Sequence, residues 1–369
     1  MDGIVRVICL LLDHLTEQGI ETMVVAPRLG QEPLERYGET IVVTTEGFPL
    51  PWYPELKFAP PLLGAYRQIK AFDPDVAHFF HPVALGLPGM LMAKQLGIPT
   101  VTSFHVDFAR MARHFYIGPV NLGILSPMTN LLTRVFFNWA DYSLAPSKFI
   151  QQEMYRQGIH RVGLWKRGVD SEKFHPRYAS DAMRSRLSDG HPEDILLLYV
   201  GRLSAEKNLE HIKAVLDQIP DTRLALVGYG PHQDELEMFF AGSKTVFTGY
   251  LEGEELAAAY ASADIFVFPS ALETFGLVAV EAMAAGLPVV ASRVGGMPDV
   301  IEEGVTGYTF EVGDQQGLVE GVAQIAINRN HIRAMGRAAR AYAETQSWGY
   351  MMDEVIDIYR NLSKQATSV

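Results

Sequence analysis

The segment Glu273-Thr-Phe-Gly-Leu-Val-Ala-Val-Glu281 carries two carboxylates, separated by seven residues, across the start of a helix-like pattern. Between them Phe275, Gly276 and Leu277 offer backbone N–H groups that a helix cannot satisfy within itself. Amides at the positive end of a helix can hold hydroxyls or phosphate. The carboxylates can accept hydrogen bonds from hydroxyls. Farther upstream, Val200-Gly201-Arg202-Leu203-Ser204-Ala205-Glu206-Lys207 sets two cations after an apolar run. Two cations facing a pyrophosphate neutralise the charge that grows when a nucleoside diphosphate departs. Together these features suit a sugar nucleotide. Each also has a plainer reading: solvated acids in an ordinary strand–loop–helix, and a solvated basic pair.

His105, in Ser103-Phe-His-Val-Asp107, follows a strand-like run. It could donate to a sugar hydroxyl or stabilise transition-state charge, or it could be a buried structural histidine. Gly228-Tyr229-Gly230-Pro231 lacks the third glycine of the dinucleotide fingerprint, because position 233 is Gln. No phosphate-binding Gly-x4-Gly-Lys-Ser/Thr loop occurs either, so nicotinamide enzymes and P-loop nucleotidases are disfavoured. The Gly228–Gly230 pair reads as a turn with no ligand role. His78 and His81 lack metal-ligand spacing with the cysteine or a paired acid, and no structural zinc is expected.

These residues must be positioned by an α/β scaffold. Apolar runs at 22–26, 40–44, 75–79, 100–103 and 142–145 alternate with helical patterns. A second series runs 195–200, 223–227, 246–248, 265–268 and 288–292. Strands this apolar, spaced by helices, imply parallel sheets covered on both faces, here as two doubly wound domains. The expected division is 1–167, 168–345 and a C-terminal helix, 346–369, packing back on the first domain. Residues 171–190 read as loop. The chain opens on an amphipathic helix (Ile4, Ile8, Leu11, Leu12, Leu15) rather than a signal peptide, and the first strand of the first domain is expected to be missing.

A chain of 369 residues with 48% hydrophobic content supports two cores, and a formal net charge of -12 argues against nucleic-acid binding. The lone Cys9 fits a reducing compartment, and no run reaches the length of a membrane span. Within 108–140 there are three arginines and no acid among many apolar residues. Residues 108–125 read as a segment lying on an anionic bilayer and residues 128–139 as core helix.

The motifs Val200-Gly201-Arg202 with Lys207, Glu273-x7-Glu281 with Phe275-Gly276-Leu277, and Gly295-Gly-Met-Pro-Asp-Val300 together resemble retaining glycosyltransferases of family four, with two Rossmann-like domains facing a cleft (the GT-B arrangement). The resemblance spans nearly the whole chain. Segments 47–57, 103–105, 164–176 and 247–254 further resemble the sulfoquinovosyltransferases, which move sulfoquinovose from its UDP donor onto diacylglycerol. Bacterial mannosyl- and glucuronosyltransferases acting on lipids are similar in some of these segments, and lipid mannosyl-, glucosyl- or glucuronosyl transfer is the alternative within the same fold. A sugar-nucleotide epimerase and an inactive sugar-nucleotide-binding scaffold are readings of other classes.

The resemblance implies that Arg202 and Lys207 bind the donor diphosphate and Glu281 the ribose. Glu273 and the amides of Phe275, Gly276 and Leu277 would hold the donor sugar, with His105 facing it. Tyr250 and Leu251 would lie near the nucleobase, and Gly3 would belong to a glycine loop near the phosphates. It implies no metal or cofactor, a UDP-sugar and a lipid acceptor as partners, and a cytoplasmic enzyme peripheral on an anionic membrane surface.

Overall fold

The structure is a computed structural model, and it describes residues 3–28, 34–50, 53–58, 63–80, 82, 85–105, 116–117, 120–121, 123 and 126–367. The chain forms two compact units, Met1–Lys166 with Gly349–Val369, and Arg167–Trp348.

The second unit has one six-stranded sheet, all parallel. Its spatial order is Thr245–Gly249, Thr222–Val227, Ile195–Val200, Ile265–Phe268, Val289–Ser292, Gly307–Phe310. Strands Thr222–Val227, Ile265–Phe268 and Val289–Ser292 are buried at every residue, which is why they read as unbroken apolar runs rather than alternating ones. Strand order reverses between Ile195–Val200 and Ile265–Phe268. That reversal opens a crevice outside the carboxyl ends of those two strands, where ligands of doubly wound sheets bind.

The opposite, amino end of this sheet carries ion pairs that line a cavity of about 720 Å³. Arg184 and Arg329 both grip Asp264, and Arg223 Nε meets Asp194 Oδ2 at 2.8 Å. Residues 171–190, read from sequence as loop, contain the helix Asp181–Leu187. Ser180 caps it by accepting from the Met183 N–H, and Met183 and Leu187 are buried; seven residues are too few to show a helical period.

In the first unit, helix Gly3–Glu17 buries Val7, Leu11 and Leu15, one stripe at a four-residue spacing. Strand Met23–Pro27 pairs in parallel with Thr40–Thr45. A separate parallel sheet runs Val162–Leu164, Tyr142–Ala145, Thr100–Ser103, Ala77–Phe79. Among the described residues no strand joins Met23–Pro27 to Ala77–Phe79. A cavity of about 980 Å³ lies between, lined by Leu11, Val24, Phe79, Met92 and Ile356 among others. A doubly wound sheet sets its first strand at this place. The C-terminal helix Trp348–Thr367 belongs to this unit from Gly349 onward and buries Met351, Met352, Val355 and Ile356. His14 Nε2 meets Asp353 Oδ1 at 2.7 Å.

One helix corrects the sequence reading. Residues 128–139 were expected as core, yet helix Ser126–Trp139 buries only Ser126, Phe136 and Phe137. The two phenylalanines belong to one core cluster with Phe104 and Met90, and the Phe137 ring lies 5.7 Å from that of Phe104. Met128, Leu131, Leu132, Val135 and Trp139 are exposed, Leu131 at 60%. Their helical spacing gathers them on one side. Most of 108–125, read as the membrane segment, lies outside the described residues.

Candidate functional site

The crevice of the second unit is built from two loops. After Ile195–Val200, the chain turns at Gly201, whose φ of 152° lies in glycine territory; a Cβ there would meet the Tyr199 hydroxyl at 2.8 Å. Burial, with the charges of Glu273 and Glu206, pushes the Tyr199 phenol well above its ordinary pKa. It stays protonated and donates to the Arg202 carbonyl at 2.9 Å, fixing the loop. The Gly228–Gly230 pair packs against this loop: a Cβ at Gly228 would strike the Gly201 carbonyl oxygen at 2.0 Å, and one at Gly230 the Leu203 oxygen at 2.1 Å. The pair therefore serves close backbone approach rather than a bare turn.

The second loop follows Ile265–Phe268. The Ala271 N–H donates to the Glu206 carbonyl (2.8 Å) and Asn208 Nδ2 to the Pro269 carbonyl (3.3 Å), so the loops are zipped together. Lys207 Nζ then sits 3.2 Å from Ser270 Oγ, 3.4 Å from the Leu272 carbonyl and 3.5 Å from Glu273 Oε2. It also lies 5.2 Å from the Phe268 ring centroid. Glu273 Oε1 accepts from the N–H groups of Thr274 (3.0 Å) and Gly276 (3.1 Å). Sixty-six positions separate Lys207 from Glu273 in sequence, and the fold makes them one cluster.

The turn into helix Leu277–Ala284 depends on glycines. Gly276 has φ 84°. Gly295 has φ 58°, and a Cβ there would sit 2.1 Å from the Glu273 carbonyl oxygen. Of the three amides expected to face a ligand, that of Gly276 already donates to Glu273, while those of Phe275 and Leu277 have no acceptor among the described residues. Glu281 lies on the helix itself, 5% exposed, with Oε2 accepting from the Tyr260 hydroxyl at 3.1 Å.

Arg202 is exposed and makes no ion pair among the described residues. Leu251 is buried, whereas Tyr250 is exposed and packs edge-on against Tyr229, itself 66% exposed, with ring centroids 6.1 Å apart. Sequence reasoning passed over Tyr229, Tyr199 and Ser270. Tyr229 stands between two glycines after a strand, Tyr199 lies in its strand two residues before Gly201, and Ser270 follows its strand by two residues as Arg202 follows the neighbouring one. In the first unit, His105 follows Thr100–Ser103, is 8% exposed and meets Ser103 Oγ through Nε2 at 2.7 Å. Gly3 is the first residue of helix Gly3–Glu17 rather than part of a loop; Met1 and Asp2 lie outside the described residues. Among the described residues no three metal-ligating side chains converge.

Set beside known proteins, residues 185–342 match the family described as Glycosyl transferases group 1, and residues 1–173 match Glycosyltransferase Family 4. The chain is 35% identical to the GDP-mannose-dependent alpha-mannosyltransferase of Mycolicibacterium smegmatis, over 97% of its own length and 93% of that protein's. The chain belongs to the group 1, family 4 glycosyltransferases. As a member it is a hexosyltransferase. This glycosyltransferase is also 39% identical to the sulfoquinovosyl transferase SQD2 of Arabidopsis thaliana, over 91% of the chain and 66% of the plant protein.

Solved structures share the fold. A sucrose-phosphate synthase from Thermosynechococcus elongatus superposes with a TM-score of 0.78 at 22% identity, covering 95% of this chain and 91% of that one. The Anabaena protein HepE, in complex with UDP and glucose, gives 0.73 at 20% identity, covering 98% and 96%. The fold is that of the GT-B glycosyltransferases, with two Rossmann-like domains.

Proposed function

We propose that this glycosyltransferase moves sulfoquinovose from UDP-sulfoquinovose to diacylglycerol, retaining the anomeric configuration and using no metal or cofactor. The observation that carries the reading is the cluster of Lys207, Ser270 and Glu273 at the strand-order reversal, beside the amide-bearing start of helix Leu277–Ala284. In this reading Arg202 and Lys207 hold the diphosphate and offset the charge that grows on it as the glycosidic bond breaks. The Phe275 and Leu277 amides and Glu273 orient the donor sugar, while the Glu273 bond to the Gly276 amide keeps that turn rigid. Glu281, aligned by Tyr260, accepts from the ribose. Tyr250, with Tyr229, offers apolar ring surface to the nucleobase. On the first unit, His105 donates to a substrate hydroxyl, and Gly3 lies close to the donor phosphates.

The choice of sulfoquinovose rests on the likeness to the plant sulfoquinovosyl transferase. A second reading, mannosyl transfer from GDP-mannose, is favoured by fuller coverage of the mycobacterial mannosyltransferase. A thermal-shift panel of UDP-sulfoquinovose, UDP-glucose, UDP-glucuronate and GDP-mannose separates them. The cognate donor at a hundred times its Kd is expected to stabilise the protein by about 2.7 kcal/mol. Stabilisation by GDP-mannose alone transfers the case to the second reading, and no shift with any donor removes both.

The lipid acceptor implies a membrane contact, and among the described residues no helix is long and apolar enough to cross one. The exposed apolar side of Ser126–Trp139, in a stretch without acids, suits insertion at the interface of an anionic bilayer. The double substitution Leu131→Glu, Val135→Glu is expected to weaken cosedimentation with phosphatidylglycerol vesicles at least about 10-fold, because each side chain forfeits roughly 1.5 kcal/mol or more of apolar burial. Tm should hold, since both residues are exposed. Undiminished vesicle binding would put the membrane contact elsewhere.

A further inference from the structure

His105 belongs to a chain of hydrogen bonds that reaches the C-terminal helix. The Tyr359 hydroxyl lies 2.5 Å from His78 Nδ1. His78 Nε2 lies 2.9 Å from Ser103 Oγ, and Ser103 Oγ lies 2.7 Å from His105 Nε2. All four residues belong to the first unit. Aromatic rings wall the chain in. Phe80 stacks on His78 at 4.2 Å, and the Trp165 ring lies 5.6 Å from His78 and 6.1 Å from His105.

The chain has a direction. Burial raises the pKa of Tyr359, so the phenol keeps its proton. A buried hydroxyl that fails to donate carries a desolvation penalty. The hydrogen-bond partner the structure gives Tyr359 is His78 Nδ1, which must therefore be the unprotonated nitrogen of that ring. A neutral His78 then carries its proton on Nε2 and donates to Ser103 Oγ. The serine hydroxyl has one proton, and its other partner is His105 Nε2. Nε2 of His105 accepts that proton in a hydrogen bond, so the neutral ring holds its own proton on Nδ1.

We propose that Tyr359 is a positioning residue, which acts through His78 and Ser103 to hold His105 as the Nδ1–H tautomer. A ring so held presents an N–H, not a basic nitrogen, at Nδ1. The kinetic consequence rests on the role assigned to His105 under the proposed function; the tautomer does not. The C-terminal helix thereby sets the chemical state of a residue 254 positions away in sequence, beyond covering apolar surface.

The test is long-range ¹H–¹⁵N correlation on the full chain labelled at histidine, with His105 assigned through His105→Gln. In the unaltered protein Nδ1 is expected to be pyrrole-like and Nε2 pyridine-like. Tyr359→Phe keeps the ring and removes the hydroxyl, so His105 should show mixed tautomers. Ser103→Ala breaks the chain one link nearer and should do the same. With the donor that the thermal-shift panel selects, kcat for Tyr359→Phe should fall roughly 2- to 10-fold, the loss of one net hydrogen bond, with donor KM within about twofold. Nε2–H in the unaltered protein, or a His105 tautomer unmoved by both folded variants, overturns the relay. A tautomer that shifts while kcat stays constant leaves the relay standing and removes His105 from the reaction.

Discussion

Lys207→Ala is expected to cut turnover about 10²- to 10³-fold, the usual cost of removing one preorganised group that meets charge developing in a transition state. The lysine is not a loose surface cation. Its side chain is 17% exposed and its partner Glu273 18%, and Ser270 Oγ and the Leu272 carbonyl also fix the ammonium. Such a group has little orientational freedom left to lose, so in the proposed reaction its charge acts on the departing nucleotide with little cost of ordering. The folding cost should be modest, because Glu273 keeps its two backbone N–H bonds after the lysine is gone. A fall in kcat with an intact unfolding transition is the expected pattern. Lys207→Arg should recover only part of the rate, because a planar fork does not fill the place of a compact ammonium. Full activity in Lys207→Ala would take the lysine out of the site.

Much of the second unit was legible in sequence because burial wrote it there. Strands covered on both faces must be apolar throughout, and the loops that follow them, which carry Arg202, Lys207 and Glu273, could be located in advance; Glu281 drew notice by its spacing from Glu273 across a helix start. What sequence spacing does not carry is the meeting of Lys207 with Glu273, which depends on two loops being stitched by the Ala271 N–H and Asn208. Tyr229 was passed over for the same reason: only the fold sets it against Tyr250.

Helix Ser126–Trp139 shows a different failure. Apolar residues occupy both its sides, and composition alone sends both inward. The helix reaches the core through Phe136 and Phe137, and its second apolar side is left exposed. The Tyr359–His78–Ser103–His105 chain was hidden more deeply still. Its last two members stand two residues apart in sequence, but its origin lies on a helix whose spacing announces only packing.

Gly295→Ala is expected to cost about 2–5 kcal/mol of stability, from about 1–2 for placing a Cβ in the left-handed region and about 1–3 for overpacking. Gly295 has φ 58°, and its new Cβ would stand 2.1 Å from the Glu273 carbonyl oxygen and 2.6 Å from its carbon. These are backbone atoms, so no rotamer change relieves the contact. Relief requires the Glu273 loop to retreat. That loop carries the carboxylate that binds the Thr274 and Gly276 amides and pairs with Lys207, so donor affinity should fall together with stability. Gly313→Ala supplies the control: φ there is 87°, but no atom lies within 4 Å of the added Cβ. It bears the backbone strain without the collision and should cost only about 1–2 kcal/mol, with donor binding unchanged. Urea unfolding and donor titration of the two variants separate strain from collision. Equal losses in both would mean that the Gly295 backbone is not pressed against the Glu273 loop, and that another contact holds the carboxylate in place.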